Sequence, residues 1–368
     1  MNMHPFLAGL RESPDYLLQD LDFSRRHGLV VRVDEPAYRR APFLDERLFT
    51  AHTRGVWFPL ETLLASAGGL PPQRPPHYIF HVGHCGSTLI SRLLGELPHM
   101  FSLREPLTLL ALAMAQRELD APGAPFDADT WQRLLHMSLQ LLSRTYRRDD
   151  RAVIKLTSAA ANLAGMLLQH HSQSRALLLY LDLETWLATM LRAEAARENV
   201  RAYAGAWLAD FNRLTGRDDL RLPALSDAQQ AVINWLAGLL TMTHAAGRFP
   251  DRTYWVNFDA FLSAPEDELH AIAGFLGSHA PAEILRNLTR GPLMGAYAKN
   301  LAEQYDAAAR QRELEASRRR CADEITTALR WAEELCRSIQ ALEPVAHRLS
   351  PHRGPGTAMP RDSRKGTI

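Results

Sequence analysis

The sequence predicts a three-layer α/β fold built on a central parallel sheet. Three observations carry that expectation. Short apolar runs at Tyr78–Val82, Met100–Leu103, Ala152–Leu156, Ala176–Leu181 and Tyr254–Phe258 read as strands buried on both faces. Long helical patterns such as Trp131–Arg144 and Ala228–Ala246 separate them. Finally, the first run ends in a glycine turn that hands over to Leu89, Ile90, Leu93, Leu94 and Leu97, the spacing of one helical face.

The elements divide the chain of 368 residues into four segments. Residues 1–75 form an accessory segment with apolar runs such as Leu29–Val33, closed by the turn-rich linker Gly68–Pro76. Residues 76–300 hold the α/β domain. After Gly277 no strong strand signal remains, and residues 301–349 read as a charged helical extension whose charges mark a solvated face. The tail from Ser350, with Pro351, Gly354, Pro355, Gly356 and Pro360, has the composition of a disordered segment.

Composition narrows the partners. Apolar residues make up 46% and charged residues 23%, ordinary globular usage. Lys plus Arg number 42 against 41 Asp plus Glu, so no global field recruits nucleic acid or an anionic membrane, and any anionic ligand must be held locally. Cys85, Cys321 and Cys336 are an odd set without a C-x-x-C pair, which points away from disulfides and cysteine zinc sites and toward a reducing cytoplasm. The first twenty residues lack the apolar region of a secretory signal. Ala228–Gly247 is uncharged and of spanning length, but Gln229, Gln230, Asn234, Thr241, Thr243 and His244 make it a buried helix instead.

The loop His81-Val82-Gly83-His84-Cys85-Gly86-Ser87-Thr88 sits between strand and helix. Such a turn aims successive backbone N–H groups and the positive helix end into one concavity, suited to phosphate or sulfate oxygens. Ser87 and Thr88 add hydroxyls, although glycine and serine also cap ordinary turns. It is no Walker A loop: aligned on G-x-x-x-x-G-K-[ST], Ser87 falls on the lysine and His81 on the first glycine. Phosphoryl transfer leans on that lysine and Mg²⁺. A sulfonate carries less charge, so the loop favours a phosphosulfate donor over a nucleoside triphosphate.

These residues resemble the sulfotransferase family, on whose loop P-[KR]-[ST]-G-[ST]-[TS] His84–Thr88 falls over the last five positions, with His84 departing from the usual basic residue. The similarity continues through Leu89–Leu94, Pro98 and Leu103-Arg104-Glu105-Pro106, and is strongest toward the bacterial and tyrosylprotein branches. It returns at Val256–Leu262, Ala264-Pro265-Glu266 and Leu269–Gly277, spanning Tyr78–Gly277 overall. The resemblance implies a P-loop sulfotransferase fold and transfer of a sulfonate from 3′-phosphoadenosine-5′-phosphosulfate to a hydroxyl of a small molecule or peptide, with no metal. Gly83, His84, Cys85, Gly86, Ser87 and Thr88 would hold the 5′-phosphosulfate. Glu105, after a strand end, would act as the general base, and Lys155, at another strand end, would stabilise the leaving oxygen.

One flank departs from the family. Its 3′-phosphate is held by an arginine and a serine eight residues later, positions that are Leu181 and Thr189 here, leaving Arg192 or another arginine to substitute. Asp182, ending an apolar run, admits a Walker-B-like alternative and hence a P-loop kinase or hydrolase. The lost arginine admits a non-catalytic adenosine-nucleotide binder. Among other candidates, His170-His171 adjoin and point apart, while His77, His81 and His84 read as core or loop residues. Trp131, Trp186, Trp207 and Trp235 read as core, and Cys85 at a helix head is expected to have a lowered thiol pKa.

Overall fold

The computed structural model describes residues 3–349 other than 120, 123, 125, 298, 299 and 305. The tail from Ser350 lies outside the described residues. In the accessory segment, β1 (Tyr16–Asp22), β2 (His27–Arg32) and β3 (Gly55–Pro59) form an antiparallel sheet in the order β1-β2-β3. The central sheet contains β4 (His77–His81), β5 (Met100–Arg104), β6 (Arg151–Lys155), β7 (Ala176–Tyr180) and β8 (Thr253–Asn257). Its order is β5-β6-β4-β7-β8, and every pairing is parallel.

Each expected strand is present within a residue of its predicted bounds. The reason is local: β4, β5 and β7 are buried at every residue, so their sequences are predominantly apolar rather than alternating, with His77, His81, Ser102 and Arg104 the buried polar exceptions. Strand order then fixes the site. The chain leaves the central strand β4 toward β5 and later returns on the other side to β7, so the order reverses at the carboxyl ends of β4, β6 and β7, the place where open parallel sheets hold ligands.

The accessory segment is not a loose appendage. Arg144 donates to the backbone carbonyls of Leu10, Ser13 and Tyr16, and Arg104 to those of Tyr38, Arg39 and Ala41. Both guanidiniums are buried, and desolvation pulls their pKa down, to about 10 for Arg144 and about 9 for Arg104. Carbonyl partners compensate that burial and tie residues 10–41 to the α/β domain.

The region after Gly277 differs from its expected form. Ala296–Tyr297 pairs with Asn300–Gln304 as a two-stranded ribbon, too short to give a periodic signal. The charged region then forms two helices, Ala307–Arg320 and Ala322–Ser338, broken at Cys321. Among the described residues, no helix is long and apolar enough to cross a membrane.

Candidate functional site

The loop leaves β4 through three residues in the left-handed region: Gly83 at φ 85°, His84 at 49° and Gly86 at 73°. Gly86 cannot be replaced easily, because a Cβ there would lie 2.0 Å from the Phe258 ring. Gly86 is also the N-cap of the helix Ser87–Gly95, and no side chain caps that helix. Its leading N–H groups therefore lack both intrahelical and side-chain cap acceptors, the condition that suits an anion. Cys85, Ser87 and Thr88 are buried, while His84 and Gly86 are half-buried and form the part of the loop that meets solvent.

Two side chains brace this loop. His81 accepts the Gly83 N–H at Nδ1 (3.0 Å) and donates from Nε2 to the Leu156 carbonyl (2.8 Å), which defines a neutral Nε2–H tautomer. Trp186 donates its indole N–H to the Gly83 carbonyl at 2.8 Å. Sequence reasoning places Trp186 in the core, and it is fully buried there, but its buttressing of the loop is a tertiary fact.

Glu105 and Lys155 come together. They end the neighbouring strands β5 and β6, and their side chains form an ion pair. Lys155 is 1% exposed and Glu105 23%, so the pair sits at a wall of the crevice with the carboxylate facing outward. Glu105 also has a positive φ of 53°, and its N–H donates to the Lys155 carbonyl at 2.6 Å. A non-glycine residue held there costs about 1–3 kcal/mol, a strain that neighbouring structure must offset. With His84, it makes two strained residues at one site. The His81 Nε2 lies 4.0 Å from the Glu105 carboxylate, linking the loop's brace to the pair.

The accessory segment completes this wall, which the sequence did not reveal. The Leu44 N–H donates to the Arg104 carbonyl at 2.7 Å, and the Lys155 ammonium lies 5.3 Å from the centre of the Phe43 ring. Arg47 stacks on the other reach of that ring at 4.1 Å and bonds Asp45. Hydrogen bonding to Asp45 holds the Arg47 pKa above its ordinary value, with the charge of Glu105 adding to the effect.

The opposite flank has a different construction. Leu181 is fully buried and its carbonyl accepts from the Trp235 indole at 2.9 Å, so its side chain belongs to the core. Thr189 turns its hydroxyl back to the Thr185 carbonyl at 2.8 Å. Arg192 follows the helix Leu183–Met190 and pairs with Glu313 at 3.4 Å. The structure does not gather Thr189 and Arg192 with the loop as it gathers Glu105 and Lys155. The Asp182 carboxylate accepts from Asn257 at 3.0 Å, which occupies one oxygen of the Walker-B-like alternative.

One expectation is overturned. Cys85 stands at a helix head, but it is completely buried and its thiol contacts the Leu179 carbonyl at 3.6 Å. Desolvation pushes its pKa up to about 12, outweighing the opposing pull of Lys155 and nearby amides. His77 lies buried with its Nε2 3.0 Å from the Leu276 carbonyl. The His170 and His171 rings do not point apart: their centroids are 4.5 Å from each other, and His170 also meets His136 at 3.2 Å. Among the described residues, no group of three or more His, Cys, Asp or Glu side chains is arranged to hold a metal ion.

No protein-family model matches the sequence, and no curated protein matches it. Solved structures similar to the chain include the sulfotransferase domain from the curacin biosynthetic pathway, at 13% identity and TM-score 0.40, covering 68% of this chain and 99% of that one. A sulfotransferase from Alicyclobacillus acidocaldarius is 13% identical with a TM-score of 0.34, covering 75% and 97%. A retinol dehydratase solved with androsterone and the inactive cofactor PAP is 13% identical with a TM-score of 0.35, covering 96% and 97%. The chemistry of the site, rather than these likenesses, carries the functional reading.

Proposed function

We propose that this chain transfers a sulfonate group from 3′-phosphoadenosine-5′-phosphosulfate to a hydroxyl acceptor. The observation that carries the proposal is the Glu105–Lys155 pair at adjoining strand ends, beside a glycine loop that has no lysine of its own. One carboxylate and one ammonium next to an uncapped helix start are the groups an in-line sulfonate transfer requires.

The loop amides of Gly86, Ser87 and Thr88 hold the 5′-phosphosulfate, with the positive end of the helix Ser87–Gly95 toward it. Glu105 takes the proton of the acceptor hydroxyl as the oxygen lone pair attacks sulfur. The bond from sulfur to the bridging oxygen breaks, and its electron pair stays on the departing adenosine bisphosphate. Lys155 shifts from Glu105 toward that oxygen and offsets its growing charge. As Glu105 becomes neutral it loses its hold on the ammonium, so proton transfer and leaving-group stabilisation reinforce one another.

Calorimetric titration with adenosine 3′,5′-bisphosphate and, separately, ATP with Mg²⁺ is the first test, with the bisphosphate expected to bind more tightly. Tighter ATP binding overturns the proposal in favour of phosphoryl chemistry. Glu105→Gln is then assayed for transfer to a panel of phenols, alcohols and sugars. A loss of about 10²–10⁴ in turnover with bisphosphate affinity retained is expected for a missing general base; unchanged turnover removes Glu105 from the mechanism.

A further inference from the structure

The geometry points to a binding site for a small inorganic oxyanion at the seam between the accessory segment and the α/β domain, in a cavity lined by Arg39, Arg40, Arg92 and Arg104. The cavity holds about 200 Å³, and none of residues 81–88, Glu105 or Lys155 lines it. The site therefore stands independently of the proposed function.

Three segments bring the guanidiniums together. Arg39 and Arg40 end the helix Glu35–Arg40, Arg92 lies in the last turn of the helix Ser87–Gly95, and Arg104 ends β5. Arg92 and Arg104 both donate to the Arg39 carbonyl, at 3.4 and 3.1 Å. One oxygen thus holds two like charges side by side. Arg92 also donates to the Arg40 carbonyl at 3.1 Å, and the Arg39 side chain turns back to the Gly95 carbonyl at 3.1 Å, where the loop helix ends.

The charges gathered there do not cancel. Arg92 and Arg104 are 5% and 3% exposed, and a buried charge is ordinarily matched by an opposite one. Arg104 has carbonyl partners alone, those of Tyr38, Arg39 and Ala41, and its Nη1 bonds nothing among the described residues. Carbonyl dipoles solvate a guanidinium without neutralising it. Arg39 pairs with Glu35 at 2.7 Å, whereas Arg40 is exposed and its side chain donates to no group among the described residues. Glu96 is the one acid on the lining, and it is exposed. Beyond the larger effect of burial, the positive field of Arg92 adds to the lowering of the Arg104 pKa, the mark of charges held together against repulsion.

Size and shape select the ligand. Pockets for drug-sized molecules measure about 300–1,000 Å³, so this smaller cavity suits a single phosphate or sulfate ion. Guanidinium forks match the paired oxygens of such ions, and a dianion answers the excess charge that chloride answers only in part. An ion shared between Arg40 of the accessory segment and Arg104 of the sheet would fasten the two parts to each other.

The test is calorimetry and thermal melting of the full chain with sodium phosphate, sodium sulfate and sodium chloride at matched ionic strength. Phosphate and sulfate should bind and raise the melting temperature, and chloride should not. Arg40→Glu should weaken phosphate by about tenfold or more, and Glu96→Gln should tighten it about threefold. Both positions are exposed and the variants should keep the fold, read by far-ultraviolet circular dichroism. Adenosine 3′,5′-bisphosphate should leave a phosphate site that it does not compete away. If the three salts stabilise alike, if Arg40→Glu binds phosphate as the wild type does, or if the bisphosphate displaces all the phosphate, the inference is overturned.

Discussion

The two flanks of the glycine loop carry charge by different means. On the β5–β6 flank the charges belong to the sheet: Lys155 ends β6 opposite Arg104, and its side chain pairs with Glu105, the residue that follows β5. On the β7–β8 flank the strand end is Leu181, buried in the core, and Arg318, which donates to Glu184 and Thr185, lies on a helix more than a hundred residues later. A sheet-borne charge is positioned by hydrogen-bond register. A helix-borne charge is positioned by packing, so it can be exchanged or moved without disturbing the strands. Under the proposed reaction, the step that needs the closest placement, breaking the bond to sulfur, falls to the stiffer flank.

Substitutions on the stiff flank should therefore have the largest effects. Lys155→Met keeps the buried stem and deletes the ammonium; turnover should fall by about 10²–10³ with little loss of nucleotide binding. A fall shared equally between turnover and affinity would mean that Lys155 only binds. Gly86→Ala places a methyl group against the Phe258 ring at a positive φ. It should weaken nucleotide binding by more than about tenfold and cost about 2 kcal/mol of stability, read by calorimetry and denaturant melts. An unchanged affinity would show that the loop does not touch the ligand.

Smaller effects sharpen the boundary between the flanks. Arg47 is half exposed and acts on Glu105 through its field. Arg47→Ala should lower turnover about threefold at low ionic strength and less at high salt, since exposed charges are screened. A salt-independent loss would instead indicate direct contact with the acceptor. At the centre of the loop, Cys85 should resist alkylation: with its pKa near about 12, its thiolate is scarce at pH 8 and the sulfur is covered. Mass spectrometry of the native protein after iodoacetamide treatment tests this, and rapid labelling would show that the loop opens.

Much of the architecture was legible because a strand buried on both faces has to be apolar along its whole length. β4 through β8 obey that rule closely enough to be located to within a residue. Glu105 and Lys155 were legible for a related reason: a charge at the end of an apolar run marks a strand leaving the sheet. The ribbon Ala296–Tyr297 with Asn300–Gln304 was too brief to leave a pattern. Cys85 was misread because a position at a helix head says nothing about the side chains that will cover it.

The sequence by itself determined the α/β class, the strand order along the chain and the glycine turn at Gly83–Thr88 between strand and helix, since backbone geometry and burial act over a few neighbouring residues. Only the tertiary structure decided that Glu105 meets Lys155 and that Phe43 and Arg47 border them. Those juxtapositions depend on sheet register and helix packing between segments far apart in the chain, and no local pattern of side chains encodes the distance between them.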